Sequence, residues 1–282
     1  MAATKNGKDM SVNLFESERS RLWALAYRML GTVSETEDVL QDAYLKISKI
    51  DYSEIDRPPA YLTTVVSRLC IDRLRVREKE SYVGPWLPEP ICDDETERFG
   101  AIHTAFLHLL ENLNPKERAV FILKEAFDYD HKKVSEVLDI TDASSRQLLK
   151  RARQRLSQLQ EMDLTPDPRP IVNKFVEALI ADDLDQVENL LCEDVIAFTD
   201  GGGVVRAAII PLEGVERIKT VFGHLFRKFD GNAEIEWRWV NGTWGLVVKA
   251  GDKNLSVATF LIKDDRVHRV YMMRNPEKLT AF

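Results

Sequence analysis

The sequence predicts a multidomain chain: two all-α domains, the second built around a helix-turn-helix, followed by an α+β cone. Three observations carry that prediction. Apolar residues recur at helical spacing through residues 14–78 and again through 101–160. Two proline-rich breaks, at 81–98 and 163–170, interrupt the pattern. Beyond the second break the chain changes to short strand-like segments separated by turn dipeptides. With 282 residues, 44% of them hydrophobic, there is enough apolar side chain for two or three cores. The expected division is 1–80, a linker at 81–100, 101–162 and 163–282.

The elements follow in order. Leu14, Leu22, Leu25, Ala26, Met29 and Leu30 mark a first helix that Gly31 stops. Ser34 reads as the N-cap of a second, whose inner face is Val39, Leu40, Ala43, Tyr44 and Ile47. Asp51–Pro59 reads as a loop. A third helix runs from about Ala60 to Glu78, with Leu62, Val65, Val66, Leu69, Ile71 and Leu74 inward. The linker is stiffened by Pro85, Pro88 and Pro90 and then solvated by Asp93, Asp94, Glu95 and Glu97. Its Tyr82, Trp86, Leu87 and Ile91 are apolar enough to dock on another surface. After residue 170 two helices (about Ile171–Ala181 and Leu184–Leu191) precede strands at Val195–Thr199 and Val204–Ile210. A helix at Val215–Lys228 follows. The last strands are Ala233–Asn241, Thr243–Ala250, Leu255–Ile262 and Arg266–Met273, with Asn241-Gly242 and Asp264-Asp265 as hairpin turns. Helices on one face of a curved antiparallel sheet make the cone.

Composition narrows the function. MAATKNGKDM has no apolar core and reads as no secretory signal. No run approaches the ~20 apolar residues of a membrane helix, so the expectation is a cytoplasmic protein with no membrane partner. Cys70, Cys92 and Cys192 are scattered, which fits reduced thiols and no metal site. The net charge of -7 hides local blocks. Acid dominates Ser34–Asp42, through Glu35, Glu37, Asp38 and Asp42. Base dominates Arg68–Lys79 and Asp142–Arg155. Blocks of opposite sign point to several partners.

The strongest motif lies at 114–156. Asn114-Pro115-Lys116-Glu117-Arg118 opens a helix with proline in its first turn. Val134, Val137 and Leu138 mark a short second helix, and Asp139–Asp142 a tight turn. In the third, Ser145, Leu149, Ala152 and Leu156 form one stripe, so Ser144, Gln147 and Arg151 point away, flanked by Arg146, Lys150 and Arg153. Arg, Gln and Ser suit the hydrogen-bonding edges of the major groove, and the remaining arginines suit phosphates.

Here a resemblance enters. Residues 112–160 resemble region 4 of sigma-70-family proteins, which contacts the -35 promoter element, and residues 14–78 resemble region 2. Ser34–Ile47 is similar to the acidic helix that docks on the clamp of RNA polymerase. That similarity implies core-polymerase contacts at Glu37, Asp38, Gln41 and Asp42. Tyr61–Arg75 is similar to the helix that melts and reads the -10 element, implying roles for Tyr61, Arg68, Arg73 and Arg75. The chain resembles the small extracytoplasmic-function class. Tyr82–Pro90, Asp200-Gly201-Gly202-Gly203 and Asn275-Pro276-Glu277-Lys278-Leu279 are similar to the motifs of a subgroup with a fused SnoaL-like (ketosteroid-isomerase-like) domain. The resemblance implies a sigma factor, not an enzyme, that takes core RNA polymerase and promoter DNA as partners, needs no cofactor and is a monomer when free.

Three separated motifs are expected to meet, on the side of the C-terminal domain that faces the linker and region 2: Trp86 and Leu87 of the linker, the Asp200–Gly203 turn, and a tail with Asn275, Pro276, Lys278 and Leu279. An aromatic of this size gains ~2–3 kcal/mol on burial, and a glycine turn admits close backbone approach. The meeting would make the C-terminal domain a regulator, of either sign. Two alternatives stay open: an unidentified small ligand sensed in the cone, and a SnoaL-type enzyme tethered to DNA. Asp200, His224 and His268 are the catalytic candidates, with no pair fixed by spacing. Trp237, Trp239 and Trp244 read as cone walls. The linker would reach ~66 Å if straight, at ~3.3 Å per residue. The two promoter elements lie more than two duplex turns apart, at roughly 34 Å per turn.

Overall fold

A computed structural model describes residues 3–50, 55–79, 81–92, 103–157, 167–227, 234–251 and 253–280, with side chains from residue 13 onward. The acidic half of the linker (Asp93, Asp94, Glu95, Glu97), the first two residues of the predicted 101–162 domain and residues 163–166 of the second break lie outside the described residues. The chain divides into two compact units. One comprises Met1–Ser81 with Leu109–Ser157, the other Tyr82–His108 with Gln158–Phe282. The helix-turn-helix therefore shares a unit with the first three helices, and the described part of the linker belongs to the C-terminal unit.

In the first unit, α1 (Ala3–Leu30), α2 (Val33–Ile47) and α3 (Pro58–Arg77) form a helical core. Leu22, Leu25, Met29, Val39, Leu40, Ala43, Leu62 and Val66 are all buried in it. Gly31, at φ 75°, ends α1 as expected. The cap of α2 differs from the sequence expectation: Thr32 holds that position, not Ser34. The Thr32 hydroxyl donates to the Glu35 carboxylate (2.9 Å), and the Thr32 carbonyl accepts from the Thr36 hydroxyl (2.6 Å). Helix α3 starts at Pro58, so Pro58 and Pro59 fill its first turn rather than ending a loop. There their missing N–H groups cost nothing. Val65 and Leu69 are only half-buried, and Cys70 and Thr63 take inward positions instead.

After α4 (Thr104–Leu110) come α5 (Pro115–Glu125), α6 (His131–Leu138) and α7 (Asp142–Arg155). A capping box between Asn114 and Glu117 opens α5. Asp139 in the left-handed region closes α6, and the Thr141 side chain accepts from the Ser144 N–H to open α7. These helices pack on α3 and α1. Arg21 donates to the Tyr129 hydroxyl (3.2 Å) and to Thr63 (2.9 Å), and the Thr63 and Tyr129 hydroxyls are 3.3 Å apart. Arg77 at the end of α3 pairs with Glu111 (3.2 Å), which also pairs with the buried Arg118 of α5.

Among the described residues the second unit is a six-stranded sheet with three helices of its own and the Thr104–His108 part of α4. Its helices are α8 (Arg169–Ile180), α9 (Leu184–Asn189) and α10 (Val215–Arg227). Its strands are β1 (Leu191–Asp200), β2 (Leu212–Glu213), β3 (Glu234–Val240), β4 (Thr243–Ala250), β5 (Lys253–Lys263) and β6 (Arg266–Met273). The order is β2-β1-β6-β5-β4-β3, with β1 and β6 parallel and the other pairs antiparallel. Asn241-Gly242 and Asp264-Asp265 all take positive φ, the geometry a two-residue hairpin needs. The predicted strand Val204–Ile210 does not form. The Gly201 carbonyl accepts from the N–H groups of Val204 and Val205 (3.0 and 3.1 Å), which coils the chain into a turn. Val204, Ile209 and Ile210 are exposed, so this apolar run marks no buried strand.

The helices cover one face of the sheet, where Phe175, Leu179, Val187 and Phe222 meet Val195, Phe260, Ile262 and Val270. The opposite face carries a second cluster of Val247, Val257, Tyr271 and Met273. Leu87 and Ala105 from the middle of the chain and Leu279 from its tail cover that cluster.

Candidate functional site

The basic helix α7 presents its stripe as the spacing requires. Ser145, Leu149, Ala152 and Leu156 are buried, while Arg146, Gln147, Lys150, Arg151 and Arg153 are exposed. Ser144 is half-buried and accepts from the Thr141 hydroxyl (2.9 Å). Arg146 lies 4.0 Å from Asp142, and Arg153 pairs with Glu125 at 2.7 Å. Among the described residues Gln147, Lys150 and Arg151 have no ion-pair or side-chain hydrogen-bond partner, and all three are exposed. The helix thus offers amide and cationic groups along one open side, suited to a polyanion with readable edges.

Helix α2 gathers the acidic candidates differently. Asp38, Gln41 and Asp42 are exposed on one side. Glu37 turns inward, accepting from the Trp23 indole N–H (2.8 Å) and pairing with Arg19 (2.7 Å). Arg73 of α3 lies 3.8 Å from Asp38 and 4.0 Å from Asp42. It therefore joins the acidic pair and stands apart from the exposed Arg68 and Arg75. Arg75 sits 3.2 Å from Asp72, and Tyr61 is half-buried at the start of α3.

The three motifs of the second unit meet at one buried carboxylate. Asp200, at the end of β1, is 0% exposed. Its Oδ1 accepts from the Tyr82 hydroxyl (2.6 Å) and the Gly202 N–H (3.0 Å). Its Oδ2 accepts from the Leu87 N–H (2.9 Å) and from the Lys278 ammonium (2.8 Å). Lys278 also donates to the Leu87 carbonyl (2.7 Å) and lies 4.1 Å from the centre of the Trp86 ring. The Asn275 amide donates to the Tyr82 hydroxyl (3.3 Å), and a Cβ on Gly202 would overlap that amide. Gly203, at φ 74°, brings its backbone against Val83. Trp86 is half-buried, whereas Leu87 is 1% exposed. Burial and the Asp200 carboxylate push the Tyr82 phenol well above its ordinary value, so it stays a donor.

Spacing did not reveal the next residues. Asn241 accepts from the Ile91 N–H (2.7 Å) and donates its own N–H to the Ile91 carbonyl (3.0 Å), so the docked segment continues to Cys92 beside Val240. His108 donates its Nδ1–H to the Trp86 carbonyl (3.2 Å) and packs on Phe198 and Tyr271. The Asn241-Gly242 pair signals a turn, and nothing local to Asn241 signals a partner 150 positions away.

The catalytic candidates do not converge. Asp200 is held by its four donors. His268 pairs with Asp194 (3.2 Å), and burial lowers its pKa. His224 is exposed on α10. Trp237 packs on the sheet core and bonds Asn173 (3.0 Å). Trp239 and Trp244 meet edge to face, with Arg169 over Trp244. Among the described residues no His/Cys/Asp/Glu cluster could hold a metal, and no helix is long and apolar enough to cross a membrane.

Comparison with known proteins adds to this geometry. A family model described as Sigma-70 region 2 matches residues 14–80, and one described as Sigma-70, region 4 matches residues 103–156. The ECF RNA polymerase sigma factor SigJ of Mycobacterium tuberculosis is 33% identical, over 96% of this chain and 94% of its own. A probable ECF RNA polymerase sigma factor of the same organism, SigI, is 28% identical over 63% of this chain and 65% of its own. The crystal structure of the M. tuberculosis SigJ protein aligns with a TM-score of 0.77 and 30% identity, covering 96% of this chain and 98% of that one.

Proposed function

The chain belongs to the sigma-70 family as an RNA polymerase sigma factor of the extracytoplasmic-function class, and from that premise we propose that its SnoaL-like C-terminal unit regulates promoter use through the linker. One observation carries the proposal: four donors from three separated segments converge on the buried Asp200. Such a node ties the linker to the tail in a way no passive string of domains requires. Residues 82–92 are committed to the C-terminal unit, so they are not free length for spanning a promoter. Regulation then consists of holding or releasing them. Catalysis has no part in this proposal, because Asp200 serves as an ion-pair partner. The chain works as a monomer until it meets core polymerase, in the cytoplasm.

Run-off transcription tests this. Deleting residues 275–282 and, separately, replacing Trp86 by Ala should each change promoter output several-fold, in the same direction, with circular dichroism unchanged. Wild-type output from both folded variants would remove the regulatory role.

The first unit carries the contacts with polymerase and promoter. Asp38 and Asp42 are exposed, and their pairs with Arg73 are long, each worth at most ~1 kcal/mol. Asp38→Arg combined with Asp42→Arg should therefore leave the helices folded and abolish binding to core enzyme in a pull-down. Retained binding would show that α2 is not the docking helix. Arg151→Ala should cost about 1–3 kcal/mol in promoter affinity and relax preference at one -35 position if Arg151 reads a base. A uniform loss with a salt slope lower by about one would assign it to phosphate instead. Unchanged affinity and preference would mean that another face of α7 meets DNA.

A further inference from the structure

Beside the linker node lies an open cavity of ≈ 540 Å³, bounded by α10, the 206–208 segment and strands β1 and β6. That volume falls within the range of small-molecule sites. Its floor is apolar, through Phe222, Leu225 and Met272, and its rim holds Arg206, Arg274 and His224. The space between the helices and the middle of the sheet is different. Phe175, Phe222 and Phe260 converge there and leave ≈ 20 Å³, room for about one water.

Arg274 is the informative rim residue. It is half-buried, and among the described residues no carboxylate pairs with it. Its Nη1 donates to the Arg206 carbonyl (2.6 Å). Burial lowers its pKa, and no nearby acid offsets the cost. Its remaining N–H groups form a planar fork that matches a carboxylate. Arg206 adds a second positive charge that also lacks a carboxylate partner among the described residues. A desolvated guanidinium above an apolar floor is complementary to a molecule that is apolar at one end and anionic at the other.

We propose that this cavity binds an apolar monocarboxylate, its anionic end on Arg274 and Arg206 and its tail on Phe222 and Met272, and that occupancy acts on the linker. The route to the linker is short. The Arg274 N–H donates to the Asp200 carbonyl (2.7 Å), and Arg274 adjoins Asn275. Ala208 donates its N–H to the Thr199 hydroxyl (2.8 Å), and Thr199 adjoins Asp200. Gly84 packs on the Ala208 carbonyl so closely that a Cβ would lie 3.4 Å from it. A ligand that displaces the 206–208 wall thus pushes on the linker itself. This coupling rests on the regulatory function proposed above, whereas binding does not.

Calorimetry on the full chain tests binding, with decanoate below its micelle concentration, decanol and acetate as probes. Saturable decanoate binding is expected, with decanol and acetate at least about tenfold weaker. Arg274→Gln should weaken decanoate about tenfold or more and leave decanol unchanged, and Val221→Trp should block both by narrowing the mouth. Absence of decanoate binding to the wild-type chain overturns the site. Wild-type decanoate affinity in Arg274→Gln, with an unchanged thermal melt, overturns the anion assignment. For coupling, saturating decanoate should shift run-off transcription several-fold in the wild type and not in Val221→Trp. Unchanged transcription with binding intact overturns the coupling. If the tail deletion and Trp86→Ala transcribe like wild type while decanoate still binds, the regulatory function fails and the binding site stands.

Discussion

Replacing Asp200 by Asn is expected to cost the C-terminal unit about 3–5 kcal/mol and to free the linker. Removing one partner of a buried ion pair leaves the other charge desolvated and uncompensated. Asp200 is 0% exposed and Lys278 is 7% exposed, so little water reaches the stranded ammonium. Asn keeps the shape but turns a donor toward Lys278 or Leu87, so at least one of the four donors loses its acceptor. Denaturant unfolding reads the stability loss. Amide exchange reads the release, since the Leu87 N–H has Asp200 as its acceptor. Adding Lys278→Met to Asp200→Asn should recover part of the loss, because the pair is coupled. Wild-type stability and unchanged protection at Leu87 in the single variant would mean that Asp200 does not hold the linker.

Transcription should follow the same ranking. Asp200→Asn, Trp86→Ala and the tail deletion act on one contact and should shift output in one direction. Tyr82→Phe removes only the hydroxyl that reaches Oδ1 and should have the smallest effect of the group. That ordering separates a node with a central carboxylate from a set of unrelated surface contacts.

Parts of this architecture were legible in the chain. The α7 stripe follows from helical period alone, and the structure buries Ser145, Leu149, Ala152 and Leu156. The two hairpins follow from residues that tolerate positive φ at fixed positions. The meeting of linker, glycine turn and tail was also legible, because each carries a group that is costly to leave alone: an aromatic, a bare backbone, a lysine beside a leucine. Local pattern could not show which carboxylate oxygen serves which donor, or that Asn241 would hold Ile91. Residues 204–210 show the opposite failure. Their β-branched content is strand-like, yet Gly202 and Gly203 at positive φ turn the chain before it can join the ladder. The pairing of the first three helices with the helix-turn-helix was likewise hidden, because nothing local to Arg77, Glu111 and Arg118 marks them as partners of one another. One sign was present. Arg118 stands three after Pro115 and four before Ile122, both buried, which places it on the inner side of α5.

That inward arginine supports the second large effect. Glu111 is the carboxylate shared by Arg118, which is 1% exposed, and by Arg77 of α3. Arg77 also reaches Glu35 (3.4 Å) and the Leu30 carbonyl (2.8 Å), so it keeps partners without Glu111. Among the described residues Arg118 then keeps a long contact with the Arg28 carbonyl (3.4 Å), and its second terminal nitrogen has no partner there. Burial already disfavours its charge, and Glu111 is the main compensation. Glu111→Gln should therefore cost the first unit about 3–5 kcal/mol. The loss should fall on the packing between α3 and α5 rather than on the helices themselves. Promoter reading requires regions 2 and 4 to stand more than two duplex turns apart, at roughly 34 Å per turn, so this packing must open before both elements are engaged. The variant should expand in small-angle scattering, retain its helical signal, and bind promoter with core polymerase at least as well as wild type. Pairing Arg118→Met with Glu111→Leu should restore the compact form, because an apolar pair of similar volume removes the desolvation cost. If Glu111→Gln stays compact and equally stable, the charge triad does not hold the two regions together, and Tyr129 with Arg21 and Thr63 must do so instead.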